Sequence, residues 1–197
     1  GGENRKYPPW GGSIMKKYLI LYCSIIVFST CQSQPDKNEA NHVGGRCEGC
    51  EALYEYGNKV LSTIDTLPEF ALAENKIKIT GTVYQKDGRT PAKDVILYVY
   101  HTNSNGIYEK RGGETGWARR HGHFRGWIKT NADGQYTFYT FRPGSYPNTS
   151  EPEHIHLTVK EPEINEYYLD EYVFDDDPLL TPTKRKRLKN RGGSGVI

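Results

Sequence analysis

Between residues 76 and 174 short β-patterned runs alternate with turn-forming residues, and no other feature of the chain restricts its fold as much. Ile77–Tyr84 alternates apolar and polar side chains and meets a Lys-Asp-Gly-Arg turn at 86–89. Val95–His101 (VILYVYH) is a continuous apolar run rich in β-branched and aromatic residues, the pattern of a buried central strand. Phe124–Thr130 alternates again, Asn131-Ala132-Asp133-Gly134 supplies a turn, and Gln135–Phe141 is expected to return as the partner strand. His154–Lys160 and Tyr167–Phe174 complete a set of six or seven strands. The expected fold is all-β, an antiparallel β-sandwich. Glu51–Leu61 is the one modest helix candidate, and the basic run Thr183–Arg191 reads as a solvated face or a short helix.

Composition agrees: 15 Tyr, 21 Gly and 11 Pro stand against a single Met, which argues against a helical bundle. With 26 basic and 24 acidic residues, the chain is too balanced for a protein built to hold nucleic acid. Residues 1–14 read as an upstream extension or cloning-derived residues, and residues 15–30 as a signal peptide. Lys16 and Lys17 precede an apolar stretch, Tyr18–Thr30, that is well short of the ~20 residues of a membrane-spanning helix. Cys31 at the junction resembles the lipid-acceptor cysteine of a bacterial lipoprotein, with simple secretion or a buried apolar segment as the alternatives. Removing residues 1–30 takes away Arg5, Lys6, Lys16, Lys17 and Glu3, which turns a net charge of +2 into −1. Residues 31–45 read as a tether and 46–197 as the folded domain, exported to the periplasm or cell surface and held there by lipid at Cys31. Cys47 and Cys50 form a CxxC pair. In an exported chain this reads as a local disulfide rather than a redox pair, and no second CxxC or suitably spaced His supports zinc.

The residues with most chemical potential lie between 108 and 156. His154-Ile155-His156 places two imidazoles on the same face of a strand, within reach of one metal ion. Tyr146 stands eight residues earlier in a Pro-bracketed loop, Arg142–Pro147. A second pair, His121 and His123, sits among Arg111, Arg119, Arg120 and Arg125, a field that disfavours a cation. His154 and His156 are thus the better metal pair, although spacing alone leaves a purely structural role open.

The ordered runs GIYEK, FRGWIKTNADGQYTFYTFRPGSYPN and PEHIHLTV resemble the intradiol ring-cleavage dioxygenases, non-haem Fe(III) enzymes, over about residues 77–180. The resemblance implies a ferric ion bound by Tyr108, Tyr146, His154 and His156. It implies a catechol and O₂ as substrates, with Tyr108 displaced to carry off a substrate proton, and a muconate-type diacid as product. The donor set suits the ion: ferric iron is hard and highly charged, so phenolate oxygen and imidazole both match it.

One position departs from the family pattern. The resemblance places an arginine beside the reacting ring three residues before the first histidine, where this chain has Glu151. Arg125 or Arg142 is the expected substitute cation, so Tyr108, Arg125 and Glu151 are the candidate catalytic residues. The competing reading is a non-catalytic, transthyretin-like sandwich that binds a carbohydrate, peptide or catechol at the cell surface. The choice of catechol and the oligomeric state are not legible in the sequence.

Overall fold

The computed structural model describes residues 47–189 and 195–197. The upstream residues 1–14, the signal peptide 15–30 and the tether 31–45 with Cys31 lie outside the described residues. Among those described, no helix is long and apolar enough to cross a membrane.

The β-patterned runs form β1 (Ile64–Thr66), β2 (Lys76–Thr82), β3 (Ile96–Tyr100), β4 (Arg125–Lys129), β5 (Gln135–Phe141), β6 (His154–Lys160) and β7 (Tyr167–Val173). Among the described residues, helical structure is limited to a 3₁₀ helix, Cys50–Tyr54, and two single turns, α1 (Ala118–His121) and α2 (Pro182–Arg185). The Thr181 side chain accepts from the Lys184 amide to cap α2, and Pro182 needs no partner at the first helical position. The helix candidate at 51–61 is therefore realised only in its first turn, and the basic tail contributes one short helix. Cys47 and Cys50 are joined as a disulfide.

Two sheets result, ordered β1-β5-β2 and β4-β3-β6-β7. All pairings in the larger sheet are antiparallel, whereas β1 runs parallel to β5 at the edge of the smaller one. The expected hairpin between the strands flanking 131–134 does not form. The turn hands the chain from one sheet to the other: β4 pairs with β3, and β5 with β2 and β1. β3 is central, as its apolar run suggests, with Leu97, Tyr98 and Val99 all buried.

Alternation divides the larger sheet into two surfaces. Leu97, Val99, Ile128, Ile155, Leu157 and Val159 face the smaller sheet, where Ile79 and Phe138 complete the core. Tyr98 and Trp127 point the opposite way and are covered by Ala52 and Leu53 of the 3₁₀ helix. That outer surface carries the chemistry.

His101, just past β3, is 1% exposed. Its Nδ1–H donates to the Thr102 carbonyl at 2.7 Å, so Nε2 accepts from the Thr140 hydroxyl at 2.6 Å. Burial lowers its pKa from 6.5 to about 4. The folded state thus keeps the ring neutral while the unfolded chain takes up a proton below 6.5. The resulting stability is complete above pH 6.5 and is lost as the pH falls towards 4, by about 3 kcal/mol for a shift of this size. Urea midpoints measured from pH 7 to 4.5 should show this loss, and His101→Gln should be less stable at pH 7 with a shallower pH slope. An equal slope in both proteins would assign the acid sensitivity elsewhere.

Candidate metal centre

β6 presents His154 and His156 on the outer surface of the larger sheet, while Ile155 between them is fully buried in the core. Two loops reach over this surface. The loop after β3 delivers Tyr108, and the loop after β5 delivers Tyr146. They cross backbone to backbone: the Gly144 amide donates to the Asn103 carbonyl at 2.9 Å, and the Thr102 hydroxyl donates to the Gly144 carbonyl at 2.8 Å. Gly106, with φ +76°, lies so close that a Cβ there would stand 1.8 Å from the Ser145 carbonyl oxygen. Only glycine admits this approach.

Four donor atoms converge at the crossing. The Tyr108 and Tyr146 hydroxyls touch, and Tyr108 Oη lies 2.7 Å from His156 Nε2. Tyr146 Oη is 3.2 Å from His156 Nε2 and 3.1 Å from His154 Nε2, and the two Nε2 atoms are 3.2 Å apart. This is the spacing of donors that share one cation at bonds of about 2 Å. The hydrogen-bond pattern assigns the protons. His154 Nδ1–H donates to the Pro152 carbonyl at 2.7 Å, so its Nε2 presents a lone pair. His156 Nδ1 lies 3.3 Å from the Tyr168 hydroxyl, which itself donates to Glu171, so the imidazole donates and its Nε2 also presents a lone pair. Without a metal these lone pairs can accept from the two phenol hydroxyls; with one, all four atoms become donors to a single ion. The residues therefore fit a metal ion.

Electrostatics favour neutral imidazole here. Burial, then the neighbouring His154, His121 and His101, push the His156 pKa well down. Burial and the bond to Tyr146 push Tyr108 up, and burial raises Tyr146 against the opposing effect of the Tyr108 hydrogen bond. Both phenols hold their protons in this setting, and a bound trivalent cation is what would release them. Among the described residues no group of three or more His, Cys, Asp or Glu could hold a metal, so phenolic oxygen is needed to complete a site.

The remaining sequence candidates are not among the four converging donors. Arg125 pairs with Glu55 at 2.5 Å and stacks over Trp127 at 5.0 Å. Arg142 is bound by Glu153 and Asp176 and covers the Phe174 ring. Glu151 is exposed on the loop after β5, its amide donating to Thr149. Neither Arg125 nor Glu151 hydrogen-bonds to the four donors, and the Glu151 charge is one of the causes that raise the Tyr146 pKa. His121 also serves a structural end. Its ring stacks on Tyr100 at 3.8 Å, Tyr100 stacks on His156 at 4.4 Å, and its Nδ1 meets the Tyr98 hydroxyl at 2.8 Å. His123 pairs with Glu69 at 3.1 Å. Sequence reasoning did not reach Tyr100, Tyr168 or Glu171. Their one signal is register, which sets Arg125, Tyr100, His156 and Glu171 in a row across β4, β3, β6 and β7.

A family profile described as dioxygenase matches residues 70–187. Over 112 residues the chain is 30% identical to the protocatechuate 3,4-dioxygenase beta chain of Burkholderia cepacia, covering 53% of this chain and 47% of that one. It thus spans about half the length of this curated relative. Among solved structures, catechol 1,2-dioxygenase from Pseudomonas arvilla C-1 shares the fold with a TM-score of 0.51 at 16% identity, over 64% of this chain and 44% of that one. The dioxygenase domain of a dioxygenase carbohydrate-binding protein fusion from Streptomyces sp. SirexAA-E matches with a TM-score of 0.48 at 23% identity, over 65% and 80%.

Proposed function

Because this chain belongs to the intradiol ring-cleavage dioxygenases, as the match over residues 70–187 establishes, we propose that it opens a catechol ring with O₂ between the hydroxyl-bearing carbons, giving a muconate-type diacid. The observation that carries the proposal is the convergence of Tyr108, Tyr146, His154 and His156 with two imidazole lone pairs turned inward. These four residues would hold non-haem Fe(III), which supplies Lewis acidity that orients a catechol and makes its ring reactive towards O₂. His154 and His156 are set by β6 and by their Nδ1 partners, so they form the fixed side of the site. Tyr108 lies on a loop and, as a phenolate in surroundings that favour the neutral phenol, is poised to take a catechol proton. The stacked Tyr100 ring backs His156 and keeps it from rotating away.

Oxygen consumption by the iron-loaded protein across a panel of catechols tests the reading, together with the visible charge-transfer band of ferric phenolate. Uptake with stoichiometric ring opening is expected. Catechol binding without oxygen uptake would favour the transthyretin-like binding module instead. The proposal includes export and lipid attachment at Cys31, supported by the residue pattern at 15–31.

Substrate charge is open to a specific test. Glu151 is exposed, and its charge is the last-ranked cause of the raised Tyr146 pKa, so water and salt leave only a weak effect on the cluster. Glu151→Gln is expected to change the ratio of kcat/KM for a carboxylated against a neutral catechol by less than about threefold. A tenfold rise would put the carboxylate inside the substrate pocket.

A further inference from the structure

His154 and His156 look alike in sequence but are backed differently. His154 Nδ1–H donates to a neutral backbone carbonyl, that of Pro152. His156 Nδ1 meets the Tyr168 hydroxyl at 3.3 Å, and that hydroxyl donates onward to the Glu171 carboxylate. The Glu171 oxygen lies 3.9 Å from His156 Nδ1, too far for a direct hydrogen bond, so the phenol bridges the gap.

A regular strand would not allow this arrangement. Tyr168 and Glu171 are three residues apart, and strict alternation would turn them to opposite faces. The pairing of β6 with β7 slips between them: His156 faces Glu171, yet Thr158 faces Tyr168, so β7 carries one residue more than β6. Asp170 sits in that stretch with φ +83°, a conformation uncommon outside glycine. The bulge leaves Leu169 packed against the core and brings both Tyr168 and Glu171 to the face of His156.

We propose that Tyr168 and Glu171 are positioning residues that form a hydrogen-bonded relay with His156, fixing its Nε2 lone pair towards the metal site and making it a stronger donor than His154. The proposal rests on the ferric reading above for its consequence, but the relay itself belongs to this chain's own residues. A metal-bound imidazole backed by a carboxylate is more basic and better oriented than one backed by a neutral carbonyl. The two histidines are therefore unequal, and the inequality is built by a bulge in the neighbouring strand.

The test uses the full chain as wild type, Tyr168→Phe and Glu171→Gln. Nitrogen-15 shifts of His156 in metal-free protein should show Nδ1 protonated in wild type. They should still do so in Glu171→Gln, whose amide oxygen can accept from Tyr168, and the preference should be lost in Tyr168→Phe. After ferric loading, both variants should bind iron about 10- to 100-fold more weakly, and their phenolate band should move to longer wavelength as the ion becomes more Lewis-acidic. A merely structural role would not move the band. Unchanged His156 shifts in Tyr168→Phe, or an unchanged band and iron affinity in Glu171→Gln, would overturn the relay. A wild type that takes up no ferric iron would overturn the metal reading, while the nitrogen shifts would still decide the relay.

Discussion

On the proposed function, Tyr146→Phe or His154→Ala is expected to leave the protein without iron and without ring cleavage while both sheets stay folded. Each change removes one of the four converging donors. Tyr146→Phe deletes a single oxygen and keeps the ring, which packs edge-on against His154 at 4.9 Å. Neither residue belongs to the clusters that hold the sheets together. Iron affinity should fall by more than about a hundredfold, beyond the range attached to hydrogen-bond partners of ligands. His121→Ala is the comparison. It removes a buried ring stacked on Tyr100 but no donor, so it should cost stability and retain iron. Metal content by elemental analysis and the phenolate band read the result, and full iron and colour in both ligand variants would show the donors to be misassigned.

Gly106→Ala should be nearly as damaging although it touches no donor. The new Cβ would lie 1.8 Å from the Ser145 carbonyl oxygen, and the backbone there has φ +76°. The two tyrosine-bearing loops would have to part, at a cost of about 3 kcal/mol or more from strain and lost loop contacts. Iron binding should be lost with them. Gly88→Ala separates the two causes: its φ is +67°, but nothing lies within 4 Å of its Cβ. That variant should lose only about 1 kcal/mol and keep its iron. Thermal midpoints and iron stoichiometry for the pair decide the matter, and an iron-replete Gly106→Ala would show that the loop crossing does not set the site.

What could be read from the sequence follows the range over which each signal acts. The alternation of His154–Lys160 and the apolar run at 95–101 are local, and both strands form where those patterns lie. The turn at 131–134 was also legible as a turn, but no local pattern says which sheet its second strand joins. That is decided by distant contacts, such as the Gly134 carbonyl accepting from the Val83 amide. β1 is three residues long and carries no periodicity to detect. Arg125 looked available because its partner, Glu55, is 70 residues away in the chain. The bulge at Asp170 was hidden because an extra residue in a strand leaves no mark on composition, and with it went the part played by Tyr168 and Glu171.

The alternation within β6 has one more effect. Ile155 and Leu157 look towards the opposing sheet, while His154 and His156 look towards the loops, so neighbours in sequence answer to different demands. The rim of the site at residues 102–123 and 142–153 meets the frame through Tyr108 and Tyr146, and also through His121, stacked on Tyr100, and Arg142, over Phe174. Only the exposed stretches of these loops, 110–113 and 147–151, can change length or charge with little toll on folding. Divergence around the site can therefore proceed at these exposed stretches on a constant scaffold, and a chimera that carries a relative's residues there should keep this protein's melting behaviour.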